Sequence, residues 1–123
     1  MNSFENEYAL FWISNDILFF EYKPNVVITL ESAKRIVADR IYMQNEIAYP
    51  IFCDTRGVVD TDKAGRDYLA KNGSLSAKAV SILASHQVAS IITNFYLRVS
   101  KPQVPTKVFT NKEAALAFLE PYK

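Results

Sequence analysis

The sequence predicts a single α/β domain built on a mixed, mostly parallel sheet with an antiparallel hairpin at its N-terminal end. Three observations carry that expectation. Strand-length apolar runs alternate with stretches of helical spacing along most of the chain. The first two runs, in contrast, are separated only by Ser14-Asn15-Asp16, a link that suits a hairpin and is too short for a crossover. The 123 residues are 50% apolar and 22% charged, a balance that suits one compact core and excludes a disordered tail or a disulfide scaffold.

Residues 8–13 (YALFWI) and Ile17–Tyr22 (ILFFEY) are the two strands of the hairpin, and Pro24 and Asn25 end the second. From Thr29 the period changes. Leu30, Ala33, Val37 and Ile41 recur at helical spacing, Thr29 suits the N-cap and Glu31 the first turn, giving a helix of about 16 residues. Pro50 opens Ile51-Phe52-Cys53, a short buried third strand that stops on Asp54. The stretch FCDTRGVVDTDKAG is then a strand-to-helix connection, with Asp60 or Thr61 as cap of a helix whose Ala64, Tyr68 and Leu69 share a face before Asn72-Gly73 stops it.

Residues 79–83 (AVSIL) read as a fourth strand. Ser85 then caps an amphipathic helix with Val88, Ile91, Ile92, Phe95 and Val99 on one side, and Pro102 and Pro105 bound the connection that follows. Lys107-Val108-Phe109 is the last strand. Thr110-Asn111-Lys112-Glu113 has the pattern of a capping box, and Ala115, Leu116, Phe118 and Leu119 supply the buried face of a final helix that Pro121 ends. The order is β-β-α-β-α-β-α-β-α, with residues 1–123 as one domain, no repeat and no linker.

Net charge is +1, but residues 1–62 carry five basic and ten acidic side chains and residues 63–123 nine and three. Such halves interleave within one domain; they fit ordinary solvation, a polar binding surface or head-to-tail self-association, and do not point to nucleic acid. The N-terminal MNSFENEYALFW carries acids where a secretory signal needs a basic region, and no run approaches the roughly 18 apolar residues of a membrane span. A cytoplasmic location and no membrane insertion are expected. Asn72-Gly73-Ser74 is a turn, and Cys53 within its apolar run is a packed core thiol.

For chemistry the residues offer little. His86 is the sole histidine, there is no Gly-x-Ser-x-Gly elbow, and the glycines at 57, 65 and 73 lie too far apart for a phosphate loop. Asp54, Asp60 and Asp62 are the compact acidic group, suited at best to a weak divalent cation, so no metal or other cofactor is expected. Open α/β sheets bind ligands beyond the carboxyl ends of their parallel strands, which places Asp54, Thr55, Arg56 and Gly57 with Ser85 and His86 at a candidate site for a small anion. Arg56 is the fixed positive charge there, expected to project from the loop toward a partner's carboxylate or phosphate. The aromatics Phe11, Trp12, Phe19, Phe20, Tyr22, Phe52, Phe95, Tyr96 and Phe109 are core residues or the lining of an apolar cavity, and Trp12 on an edge strand marks a candidate protein contact.

The element order, the strand end at Asp54 and the closing run KVFTNKEAALAFL together resemble the STAS superfamily, in particular its small uncharacterised bacterial members. That resemblance implies a STAS-like domain with a regulatory or scaffolding role, without catalysis, acting through protein–protein interaction. Its alternative is binding of a small anion, nucleotide or lipid at the loop after the third strand. Antagonist members carry an Asp-Ser-Ser-Gly-like switch, whereas this chain reads Asp60-Thr61-Asp62-Lys63-Ala64-Gly65, leaving Thr61 as the candidate phosphoacceptor, flanked by repelling acids. A homodimer is expected from the charge asymmetry and the aromatic edge hairpin.

Overall fold

The computed structural model describes residues 2–92 and 103–123. Strands β1 (Ser3–Glu5), β2 (Ala9–Ser14) and β3 (Ile17–Tyr22) lead through β4 (Val26–Ile28) into helix α1 (Leu30–Gln44). Strands β5 (Tyr49–Asp54) and β6 (Val58–Thr61) precede α2 (Lys63–Asn72), and β7 (Ala77–Leu83) precedes α3 (His86–Ile92). Strand β8 (Thr106–Phe109), α4 (Lys112–Leu119) and a closing 3-10 turn Glu120–Tyr122 complete the described chain. The predicted extension of the third helix through Phe95 and Val99, with Tyr96 and Pro102, lies outside the described residues.

Six strands form one sheet in the order β1-β2-β3-β5-β7-β8. The β1–β2 and β2–β3 pairs are antiparallel, and β3–β5, β5–β7 and β7–β8 are parallel. The α/β class and the antiparallel start therefore stand as predicted. Asn15 and Asp16 both have positive φ, 52° and 62°, as a two-residue type I′ hairpin requires.

Alternation along the strands separates two cores. Leu18 and Phe20 of β3, Ile51 of β5, and Val80 and Ile82 of β7 face the same side as Ala33, Ile36 and Met43 of α1. Ile17, Phe52, Ala79 and Leu83 face Ala115 and Leu119 of α4. Strand order equal to chain order explains the division. Successive parallel crossovers of one hand place their helices on one face, so the other face is left to a helix outside any crossover.

Several local expectations change. Strand β1 pairs outside β2, so the hairpin is not the sheet edge and the ground it gave for dimerisation falls away; Trp12 instead stacks on Phe19 at 5.3 Å. The buried side of α1 is Ala33, Ile36, Val37, Arg40, Met43 and Gln44, while Leu30 is exposed. Thr29 is the N-cap as expected, bonding reciprocally with Ser32 at the helix start.

Strand β6 was not expected. Its parallel pairing with β4 occupies residues 58–61, which moves the helix start forward. The cap is Asp62, whose Oδ1 accepts from the Gly65 N–H at 2.7 Å, and neither Asp60 nor Thr61. In α2 the buried residue is Gly65 and Ala64 is exposed, since a Cβ at Gly65 would stand 2.8 Å from the Ile28 carbonyl oxygen. At the last helix Asn111 is the cap, accepting from the Ala114 N–H at 2.9 Å, in place of a box begun by Thr110.

Asp62→Ala is expected to lower stability by about 1 kcal/mol through loss of that cap. Thr61→Ala is expected to stay within about 0.5 kcal/mol, because the Thr61 hydroxyl serves only an exposed arginine. Paired urea denaturation curves measure both, and a larger loss from Thr61→Ala would refute the cap assignment.

Candidate functional site

The carboxyl ends of β5 and β7 lie side by side, with Asp54 in register with Leu83. Thr55 continues this contact by donating both its N–H and its hydroxyl to the Leu83 carbonyl, each at 2.9 Å. This brings the start of the Asp54–Gly57 loop against the turn that carries Ser85 and His86. Gly57 holds the loop down on the β3–β4 connection. Its carbonyl accepts from Val26, and a Cβ there would stand 2.3 Å from the Lys23 carbonyl oxygen.

The predicted residues do not form one cluster. Asp54, two residues on from Phe52, shares its face and so belongs to the α4 side of the sheet, where its carboxylate is buried. Arg56 folds back onto it. Its Nε lies 3.0 and 3.2 Å from the two carboxylate oxygens, its Nη2 2.8 Å from Oδ2, and its backbone N–H 3.0 Å from Oδ1. The expectation of an Arg56 charge projecting for a partner is therefore corrected: a buried carboxylate beside a guanidinium recruits it. Burial alone would raise the Asp54 carboxyl, but hydrogen bonds from Arg56 and the charges of Arg56 and Lys112 outweigh it and hold it below its ordinary value.

Asp60 is exposed and accepts from the Thr61 N–H, Asp62 is committed to its cap, and His86 is exposed at the start of α3. Among the described residues no cluster of three or more His, Cys, Asp or Glu gathers to hold a metal ion.

Thr55, Arg56, Thr61 and Ser85 do share a feature that the sequence did not reveal. They line the polar end of a partly open cavity of about 690 Å³ between the sheet and helices α1 and α2. Phe20, Ile51, Val80 and Ile82 supply its sheet wall, Ile36 and Val37 of α1 and Leu69 of α2 its helical wall, and Ile28 and Val58 its small-sheet wall. Its volume falls within the range of small-molecule pockets, about 300–1,000 Å³, and an apolar lining with a few polar groups is their usual composition. Cys53 reaches this lining as well, and burial, followed by the Asp54 charge, pushes its thiol up to about 12.

Arg40 and Asp67 belong to the lining too. So do Lys63 and Arg66, which were missed. A signal for them existed. The first turn of a helix favours acids, yet the first turn of α2 carries no acid and these two cations. Such a local conflict marks residues placed for something other than stability.

The chain belongs to the family DUF7793, described as a domain of unknown function, whose model matches residues 11–123. The comparison with curated proteins finds no match. Among solved structures, the chain is similar to the crystal structure of an uncharacterized protein of the DUF3478 family with a SpoIIAA-like fold from Shewanella loihica PV-4. The TM-score is 0.60 at 17% identity, over 94% of this chain and 98% of that one. The fold is thus STAS-like, as the closing strand and helix implied. No helix among the described residues is long and apolar enough to cross a membrane.

Removal of Arg56 leaves the Asp54 carboxylate buried without its guanidinium. Arg56→Ala is expected to cost about 1–2 kcal/mol at neutral pH. Because the Asp54 carboxyl is depressed in the folded state, its contribution is present above the unfolded pKa and lost as pH falls below about 4 through the folded value. The stability gap between the parent and Asp54→Asn, followed by urea denaturation from pH 6 to pH 2, should narrow over that interval. A constant gap would show that the pair is not formed.

Proposed function

We propose that this chain is a non-catalytic binding domain that takes a small, largely apolar molecule into the cavity between its sheet and helices α1 and α2. The single observation that carries the reading is the cavity itself, about 690 Å³ in a domain of 123 residues. A well-packed core of this size has few voids larger than a water molecule. Space of this extent, walled by Ile36, Ile51, Leu69, Val80 and Ile82, has the size and surface to enclose an apolar body.

The absence of catalysis in this reading rests on the chemistry at the walls. The Cys53 thiol is held protonated by its burial, and the thiol form is a poor nucleophile. The carboxylate of the loop, Asp54, is engaged by Arg56 on the far side of the sheet. A STAS-like fold is consistent with regulatory or binding roles, and ligand occupancy would be the signal such a domain reports.

A second reading, regulation through a protein partner without a ligand, draws on exposed apolar residues of the small sheet and the start of α1. Val27, Leu30 and Val59 are 45%, 39% and 62% exposed. It accounts for that surface and leaves the cavity without a role.

The double substitution Val80→Phe with Ile82→Phe narrows the cavity from the sheet side. For the parent, anilinonaphthalene sulfonate should show saturable one-to-one fluorescence enhancement while near-ultraviolet circular dichroism remains native. The variant should lose affinity about tenfold, or about 1.4 kcal/mol, with its melting temperature unchanged or raised because the rings enter open space. Unaltered dye binding, together with the 1–3 kcal/mol destabilisation typical of overpacking, would overturn the proposal.

A further inference from the structure

Four cationic residues line the cavity: Arg40 toward the C-terminal end of α2, bound to the Gln44 side chain and the Leu75 and Gly73 carbonyls, and Arg56, Lys63 and Arg66 toward its N-terminal end. Their charges are not equally engaged. Arg56 is held by Asp54, and Lys63 lies 2.7 Å from the Asp67 carboxylate. Arg66 donates only to neutral oxygens: its Nη1 meets the Thr61 carbonyl at 3.1 Å and the Thr61 hydroxyl at 2.9 Å. Among the described residues no carboxylate forms an ion pair with it, and residues 93–102 contain no acid that could. One nitrogen is thus committed to aiming the group, while Nε and Nη2 remain as the edge that binds a carboxylate in two parallel hydrogen bonds.

Position adds to this. Arg66 and Lys63 stand where the helix dipole disfavours a cation, and they border an apolar space together with the hydroxyl residues Thr55, Thr61 and Ser85. An occupant that fills the apolar walls and satisfies this end carries one anionic group at one end of an apolar body. We infer that the cavity's ligand is a free single-chain amphiphile with an anionic head, and that Arg66, assisted by Lys63, seats that head. The inference rests on the binding reading above and adds the ligand's charge and orientation to it.

The test compares decanoate with decanol by isothermal titration calorimetry on the full chain, below the concentration at which either aggregates. The parent should bind decanoate at least tenfold more tightly than decanol. Lys63→Gln with Arg66→Gln should reduce that preference to threefold or less, chiefly through lost decanoate affinity, and its melting temperature should not fall, because two unfavourably placed charges are gone. Arg66→Lys, which keeps the charge but not the fork, should give an intermediate preference.

Equal affinity of the parent for both probes would overturn the anionic head while leaving an apolar ligand in place. Binding of neither would overturn the binding reading and this inference with it. Phosphatidylglycerol vesicles distinguish a lipid surface from a free ligand. The parent is expected to remain in the supernatant, and co-sedimentation abolished by the double substitution would assign the cations to a membrane headgroup instead, overturning the inference.

Discussion

One buried guanidinium ties together the end of the cavity away from the Asp54–Gly57 loop. Arg40 is 3% exposed and donates to the Leu75 carbonyl at 2.9 Å, to the Gly73 carbonyl at 3.2 Å and to the Gln44 side chain one helical turn on. Gln44, itself buried, donates to the carbonyls of Ile47 and Ser76. Four backbone carbonyls, from the end of α2, the entry to β7 and the loop before β5, therefore close on two side chains of α1. The buried donors of Arg40 and Gln44 need partners, and these carbonyls provide them. Because a guanidinium meets two of the carbonyls and the Gln44 amide the other two, α1 is tied to the connection through which α2 returns to the sheet.

At the other end the constraint is steric. Gly57 and Gly65 each bring backbone against backbone at a distance that no side chain would permit, the first on the β3–β4 connection and the second on the end of β4. They dock the small β4–β6 sheet as a third wall. With the helices pinned at one end and this sheet at the other, the described residues leave open space in the middle of the helical face, while the opposite face packs around Phe52, Leu83 and Leu119. The cavity is thus a product of where the backbone is fastened, and the apolar residues around it are the same kinds that fill the other core.

That origin explains what could be read from the sequence and what could not. Ile17–Tyr22 was legible to the residue because its aromatic, strand-length run lies between a tight turn and a proline. Strands β1, β4 and β6, three or four residues each, are too short to show a period, and they form because neighbours at a distance pair with them. The cap at Asp62 was obscured by two equally suitable residues before it; only the pairing of Thr61 with Ile28 selects among the three. Of the candidate site, the positions of Thr55 and Ser85 followed from strand ends. The retraction of Arg56 did not, because it depends on Asp54 being buried on the opposite face. Lys63 and Arg66 were not singled out, although two cations in the first turn of a helix run against its dipole.

Strand order equal to chain order has a consequence for how the domain comes into being. The N-terminal meander contains only local contacts, closed by a type I′ turn whose hairpin forms in about 1–10 μs. Each later strand adds to the outer edge of what already exists, β5 on β3, β7 on β5 and β8 on β7, so none must insert between two earlier ones. Slow, long-range pairing is the usual burden of parallel sheets. Here it is divided into successive steps, each templated by the last, and a chain leaving the ribosome N-terminus first can assemble its sheet in the order in which it is made.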